Sequence, residues 1–153
     1  MKVTARGLAL AIPVALLGGA YISQYVFGLY PCEMCWWQRY PHFAALVFAL
    51  AAVVQPRQKL WPMLAALAIL TSGLIGAFHA GVEYHWWEGI TGCATTAQAG
   101  GDPLAAILNA PIVRCDVPAW TLFGISLAGF NFLISTVGAL AILALLRREG
   151  ATA

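Results

Sequence analysis

"LWPMLAALAILTSGLIGAFHAGV", Leu60–Val82, runs for 23 residues without Asp, Glu, Lys or Arg. Its apolar residues do not alternate, as the strands of a membrane barrel would over segments of about ten residues. In lipid only a helix or a closed barrel satisfies the backbone N–H and C=O groups, and about 20 apolar residues cross the hydrocarbon layer. The stretch therefore reads as a membrane-crossing helix.

Three more uncharged runs surround it. Gly7–Cys32 has 26 residues, Tyr40–Gln55 has 16 and Val117–Leu146 has 30. The whole chain of 153 residues is 61% hydrophobic and 9% charged, against about 25% charged in an average soluble domain. Eight Lys and Arg and six Asp and Glu cannot cover a soluble surface of this size. The expectation is an all-α integral membrane four-helix bundle, a single domain over 1–153. Helices are predicted at 7–30, 37–55, 60–82 and 117–146, joined outside by loops at 31–36 and 83–116. The second run is short for a span unless its helix begins near Trp36. The last would be about 45 Å long and must tilt or protrude. The first is too long for the apolar region of a cleaved signal peptide, so it reads as a retained helix. In the long loop, "PLAAILNAPIV", Pro103–Val113, reads as a short helix on the membrane surface, limited by Pro111. Pro118 after Asp116 suits the first turn of the last helix.

The charges orient the bundle. Lys2 and Arg6 precede the first helix, Arg57 and Lys59 lie between the second and third, and Arg147 and Arg148 follow the fourth. These three places share one side of an alternating four-helix chain. By the positive-inside rule that side is cytoplasmic and holds both termini. Cys32, Cys35, Cys93 and Cys115 all fall on the other side, in a compartment where disulfides persist. Four cysteines allow three pairings. The basic residues follow membrane edges, and no pattern points to a nucleic-acid partner.

"YPCEMCWWQRY", Tyr30–Tyr40, carries the chemistry. A disulfide across two intervening residues is readily made and broken, and the thiolate is the reacting form. Cys35 is placed at a helix start, with Arg39 four residues on and on the same face. Both favour a thiolate at Cys35, while Glu33 opposes it. Cys35 is thus the expected acidic thiol and Cys32 the more exposed one. A lone CxxC without a second close pair is weak evidence for metal, so no metal is expected. Trp36 stands where a c-type haem would require His. A structural staple is hard to motivate at a tight turn between membrane helices. Arg39 as a mere interfacial anchor would break the charge asymmetry; as a functional group it can hydrogen-bond a carbonyl of a flat electron acceptor. His79, near the outer end of the third helix with Glu83 four residues on, is a functional candidate because ionisable groups inside membrane segments usually are; its bland alternative is a hydrogen bond within the bundle. His42 and His85 carry weaker signals. Trp36, Trp37, Trp86 and Trp87 form an interfacial belt that can also line a pocket for a flat ligand. A second cysteine pair in a long loop can reach a soluble partner and pass electrons back by thiolate attack on disulfide sulfur.

"PCEMCWWQRYPH" (Pro31–His42), "AFHAGVEYHWWEG" (Ala77–Gly89) and "RCDVPAWTLFGISLAGFNFL" (Arg114–Leu133) together resemble the DsbB family of bacterial disulfide bond formation proteins, over roughly Gly7–Leu146. The resemblance implies a bacterial inner-membrane thiol:quinone oxidoreductase that reoxidises a DsbA-like periplasmic dithiol oxidase. It implies that Cys93 is attacked by the partner, that Cys115 is its exchanging mate, and that Cys32 and Cys35 relay the electrons. Cys35 then serves a bound ubiquinone or menaquinone, with Arg39 and His79 as the acceptor-binding residues. The loop between Cys93 and Cys115 is compact for that family. A disulfide-stapled membrane scaffold or transporter subunit is the competing reading. A vitamin K epoxide reductase-like enzyme is disfavoured because its CxxC lies late in the bundle.

Overall fold

The computed structural model describes residues 4–91, 94–95 and 112–151. Within them, four long helices make up the bundle: α1 (Ala5–Tyr25), α2 (Glu33–Val54), α3 (Leu60–Glu83) and α4 (Leu127–Ala151). Two short antiparallel ladders complete it. β1 (Ala94–Thr95) pairs with β2 (Ile112–Val113), and β3 (Thr121–Leu122) pairs with β4 (Ile125–Ser126). The all-helical expectation holds. α1, α3 and α4 are each long and apolar enough to cross a membrane. α2 is diluted by Glu33, Gln38, Arg39 and His42 in its N-terminal half, yet its 22 residues reach about 33 Å.

Local chemistry sets the helix ends. Thr4 caps α1 by accepting a hydrogen bond from the Gly7 amide, 3.1 Å. α1 stops at Tyr25 rather than continuing to residue 30. Gly28 follows with φ +67, a conformation that only glycine adopts cheaply. α2 starts at Glu33, earlier than the predicted 37, because Cys32 caps it. The largest departure is the last helix, predicted from Val117 and found from Leu127. The intervening stretch turns back on itself at Phe123 (φ 51) and Gly124 (φ 78), the two positive-φ residues of a tight hairpin whose twist suits its flanking strands. The Tyr84 hydroxyl holds this hairpin to the end of α3: it donates to the Gly124 carbonyl and accepts from the Ser126 amide, both at 2.9 Å. Of the predicted surface helix, residues 103–111 lie outside the described residues, and Ile112–Val113 form β2.

Packing divides the bundle into two levels. Away from the CxxC end, Ala5, Ala9, Ala45, Ala49, Ala65, Ala66, Ile69, Ala139 and Ile142 form one buried cluster. Small side chains let backbones approach, as membrane helices require when lipid is as apolar as their cores. Large apolar residues such as Val47, Leu50, Leu74 and Val137 stay exposed on the outside, where the solvent is lipid. Toward the CxxC end, α3 meets α4 through Gly73 and Gly76. A Cβ on Gly76 would lie 2.9 Å from the Ala128 carbonyl oxygen and 3.1 Å from the side chains of Asn131 and Gln38.

Candidate active site

The CxxC end of the bundle collects the polar side chains. As the cap of α2, Cys32 accepts the Cys35 amide at 3.4 Å, and its S–H donates to the Cys35 sulfur at 3.2 Å. Both are thiols. That donated bond, followed by burial, pushes the Cys32 thiol up to about 12; the His79 contact works the other way. Cys32 therefore keeps its proton, and Cys35 is the sulfur that receives a hydrogen bond. Exposure runs opposite to the sequence expectation: Cys32 is buried and Cys35 half-buried. Cys32 sits under Met34, Val82 and Cys115, whereas Cys35 faces a cavity.

Cys115 is buried in that cluster against Cys32. Burial raises its thiol pKa, and the Cys32 thiol beside it adds to the rise. Arg114 and Asp116 on either side pair with each other, Nε to Oδ1 at 2.9 Å, and the guanidinium holds the exposed Asp116 carboxyl at about 2. Cys93 lies outside the described residues. Ala94, the residue after it, pairs with Val113, two residues before Cys115.

A cavity of about 230 Å³ opens beside Cys35, between α1, α2 and α4. Its apolar walls include Leu16, Ala20, Leu127 and Phe130, and its polar groups include Cys35, Gln38, Arg39, His42 and Asn131. Arg39 is only 6% exposed. Its guanidinium donates to the Gln24 side-chain oxygen at 2.7 Å and to the Ala20 carbonyl at 3.3 Å. The Tyr21 and Trp36 rings lie 4.9 and 4.8 Å from it, close enough for cation–π attraction. A buried arginine with no carboxylate among these contacts, held by neutral acceptors and ring faces, keeps its charge directed at the cavity.

His79 is placed elsewhere. It is 2% exposed and is not part of the cavity wall. Its Nε2 is 3.5 Å from the Cys32 sulfur and 3.8 Å from a Glu83 oxygen, and its Nδ1 is 2.9 Å from the Gln38 amide nitrogen. Cys32, Cys35 and His79 have the donor types of a metal site and lie close together; the same arrangement is a hydrogen-bonded thiol pair with a histidine beside Cys32.

Sequence reasoning missed the connections behind this front. Gln38 donates to the Met34 carbonyl at 3.1 Å and accepts from the Asn131 amide at 2.8 Å. Asn131 faces His42 at 3.0 Å and accepts from Ser135 at 2.9 Å. The Ser72 hydroxyl donates to the Gln38 carbonyl at 2.7 Å. The available signal was polar residues at helical spacing inside apolar runs, Gln38 with His42 and Asn131 with Ser135, which glue membrane helices together.

Comparison with known proteins points one way. The family model for disulfide bond formation protein DsbB matches residues 2–145. The disulfide bond formation protein B of Paracidovorax citrulli is 33% identical over 158 residues, covering 94% of this chain and 87% of that protein. Its counterpart in Acidovorax sp. is 32% identical over 150 residues, covering 90% and 83%. An uncharacterized protein of Rickettsia prowazekii, RP370, is 26% identical over 132 residues, covering 82% and 77%. No solved structure matches.

Proposed function

This chain belongs to the DsbB family, a multi-pass membrane family of disulfide bond formation, and from that premise we propose that it is a thiol:quinone oxidoreductase. It reoxidises a DsbA-like periplasmic dithiol and passes the electrons to ubiquinone or menaquinone in the bacterial inner membrane, with both its termini cytoplasmic. The observation that carries this reading is the position of Cys35. It is in hydrogen-bond contact with Cys32 on one side and lines the Arg39 cavity on the other.

The exchange steps follow from which sulfurs are neighbours. The partner's thiolate attacks the Cys93 sulfur of a Cys93–Cys115 disulfide and releases Cys115 as a thiolate. The partner's second thiol then resolves the mixed disulfide, leaving the partner oxidised and Cys93 and Cys115 reduced. The Cys115 thiolate, packed against Cys32, attacks that sulfur of the Cys32–Cys35 disulfide. Cys35 leaves as the thiolate, and once Cys32 has been freed and protonated its S–H donates a hydrogen bond to that sulfur. Attack of Cys93 on Cys115 closes the loop disulfide and frees Cys32, which takes up a proton. Two electrons and one proton have then moved from the partner to the membrane-edge pair, which ends as the Cys32 thiol and the Cys35 thiolate; the other proton was released to solvent when the partner's thiolate formed.

The cavity suits a quinone head. Its walls are largely apolar, and Arg39 provides a fixed donor for a carbonyl oxygen. When bound, a quinone supplies a two-electron, two-proton sink, strong enough to reoxidise a partner whose potential is about −120 mV. Arg39 orients that head against Cys35, and His79 steadies the Cys32 thiol. Purified protein, mixed with a reduced thioredoxin-like partner and a quinone, should bleach the quinone absorbance catalytically. Cys35→Ser should abolish the bleaching with the bundle intact; bleaching no faster than a cysteine-free variant would overturn the assignment.

A further inference from the structure

Two backbone carbonyls fix which way both amides of the buried network point. The Met34 carbonyl lies 3.1 Å from one end of the Gln38 amide, so that end is the NH2. It also faces His79 Nδ1 at 2.9 Å, and the Gln38 oxygen is thereby turned to Asn131 at 2.8 Å. Asn131 must present its NH2 there, and the Ser72 carbonyl at 3.1 Å confirms that orientation by needing the same donor. The Asn131 oxygen is left facing His42 Nε2 at 3.0 Å and the Ser135 hydroxyl at 2.9 Å. An amide oxygen opposite a ring nitrogen requires N–H at that nitrogen. In the neutral ring His42 then carries its proton on Nε2, and Nδ1 is a bare lone pair. That Nδ1 is buried and has no hydrogen-bond partner, in a residue 3% exposed that lines the Arg39 cavity. Buried acceptors are rarely left unpaired.

We infer that His42 Nδ1 accepts a hydrogen bond from a ring hydroxyl of the reduced acceptor, so that the cavity holds hydroquinone more tightly than quinone. The inference rests on the thiol:quinone reading and adds to it the redox form that the site selects. A quinone oxygen is an acceptor only and meets the lone pair of Nδ1 with no hydrogen between them. A hydroquinone oxygen brings the hydrogen. Arg39, a donor only, serves the oxygen of either form and does not make this distinction. Tighter binding of the reduced form raises the potential of the bound acceptor, by 29.6 mV for each tenfold of preference in a two-electron couple. The same two amides thus set both histidines: His79 turns its N–H toward Cys32, and His42 turns its lone pair toward the product.

The test is equilibrium binding of a short-tailed ubiquinone and of its hydroquinone. It is measured anaerobically on the full-length Cys35→Ser protein so that neither is consumed. His42→Leu should weaken hydroquinone about tenfold, one good hydrogen bond, and leave quinone within about twofold. His42→Gln, whose amide can donate to Asn131 and still offer an oxygen, should restore the preference. On the Cys35→Ser protein with no change at His42, the hydroquinone dimethyl ether, with no O–H, should bind no more tightly than the quinone, a result independent of how any His42 variant folds. Equal weakening of both forms, or a preference that survives His42→Leu, overturns the inference while leaving the enzymatic reading in place. If the Cys35→Ser protein binds neither form, the thiol:quinone reading falls and takes the inference with it.

Discussion

The same four helices pack in two different ways along their length. Away from the CxxC end, alanines and Ile69 and Ile142 make an apolar seam. Near it, Gln38, Arg39, His42, Ser72, His79 and Ser135 are buried together. The first seam is non-directional: dispersion and close approach hold it, and many side chains of similar volume would do. The second is directional, because each hydrogen bond fixes which way the next group points. The lesson is that the bundle is held by one level and aimed by the other. Damage at the two levels should therefore separate turnover from stability.

The largest effect should come from the sulfur that joins the thiol chain to the cavity. Cys35→Ser should cut quinone reduction at least about 10³-fold with the thermal midpoint in detergent nearly unchanged. Residual turnover above a tenth would mean that electrons leave by another sulfur. Next, Arg39→Lys keeps the charge but loses the fork that reaches Gln24 and the Ala20 carbonyl. A loss of about 10²-fold is expected, and wild-type turnover in the variant would reduce Arg39 to an anchor. Gln38→Leu is smaller. It unties His79 from Asn131 and should slow turnover about tenfold, as loss of an outer-shell hydrogen bond does at other sites. Because a freed His79 can present either nitrogen to Cys32, the pH profile of thiol alkylation should move too; an unchanged profile would leave Gln38 a packing residue.

The thiol pair also gives a pH signature. The folded, reduced Cys32 thiol is raised from an ordinary 9.0 to about 12, so folding favours its protonated form. For a raised thiol the stabilising contribution is complete below 9.0 and is lost as pH climbs through about 12. The reduced protein should lose thermal stability over that window more steeply than the oxidised protein, in which Cys32 has no proton to lose. Parallel curves would show that the Cys32 hydrogen bond is absent in solution.

How much of this was readable follows from which interactions are local. Leu60–Val82 announced its helix because 23 uncharged residues in lipid have few other options. The pairing of Cys35 with Arg39 on one face followed from helical spacing alone, and the structure has both lining one cavity. Val117–Ser126 misled because it carries no charge, and hydropathy cannot tell an interfacial hairpin from a helix. The turn signal was there in Gly124, but Phe123 beside it, an unlikely residue at positive φ, masked it. The Gln38–Asn131 contact joins residues 93 positions apart. Neither residue signals it alone, since an amide in a membrane helix acquires its partner only when two helices choose a rotation. The burial of Cys32 was hidden for the same reason: Met34, Val82 and Cys115 come from three places in the chain.

The smallest expected effect on turnover comes from the apolar seam and completes the separation. Ile142 is fully buried among Ala5, Ala9 and Ala139 and has no polar neighbour in that cluster. In a soluble core Ile→Ala costs about 2–5 kcal/mol, but part of that is transfer to water, and here the alternative surroundings are lipid. What remains is lost dispersion and the void. Ile142→Ala should lower the thermal midpoint measurably and leave turnover, and the hydroquinone preference, within about twofold, since a void in a non-directional seam turns no hydrogen bond. The measurement is a thermal melt in detergent beside quinone reduction at a temperature well below the transition. A change in the acceptor preference larger than the change in stability would show that the two levels are mechanically coupled along α4, and that the aiming extends through the whole bundle.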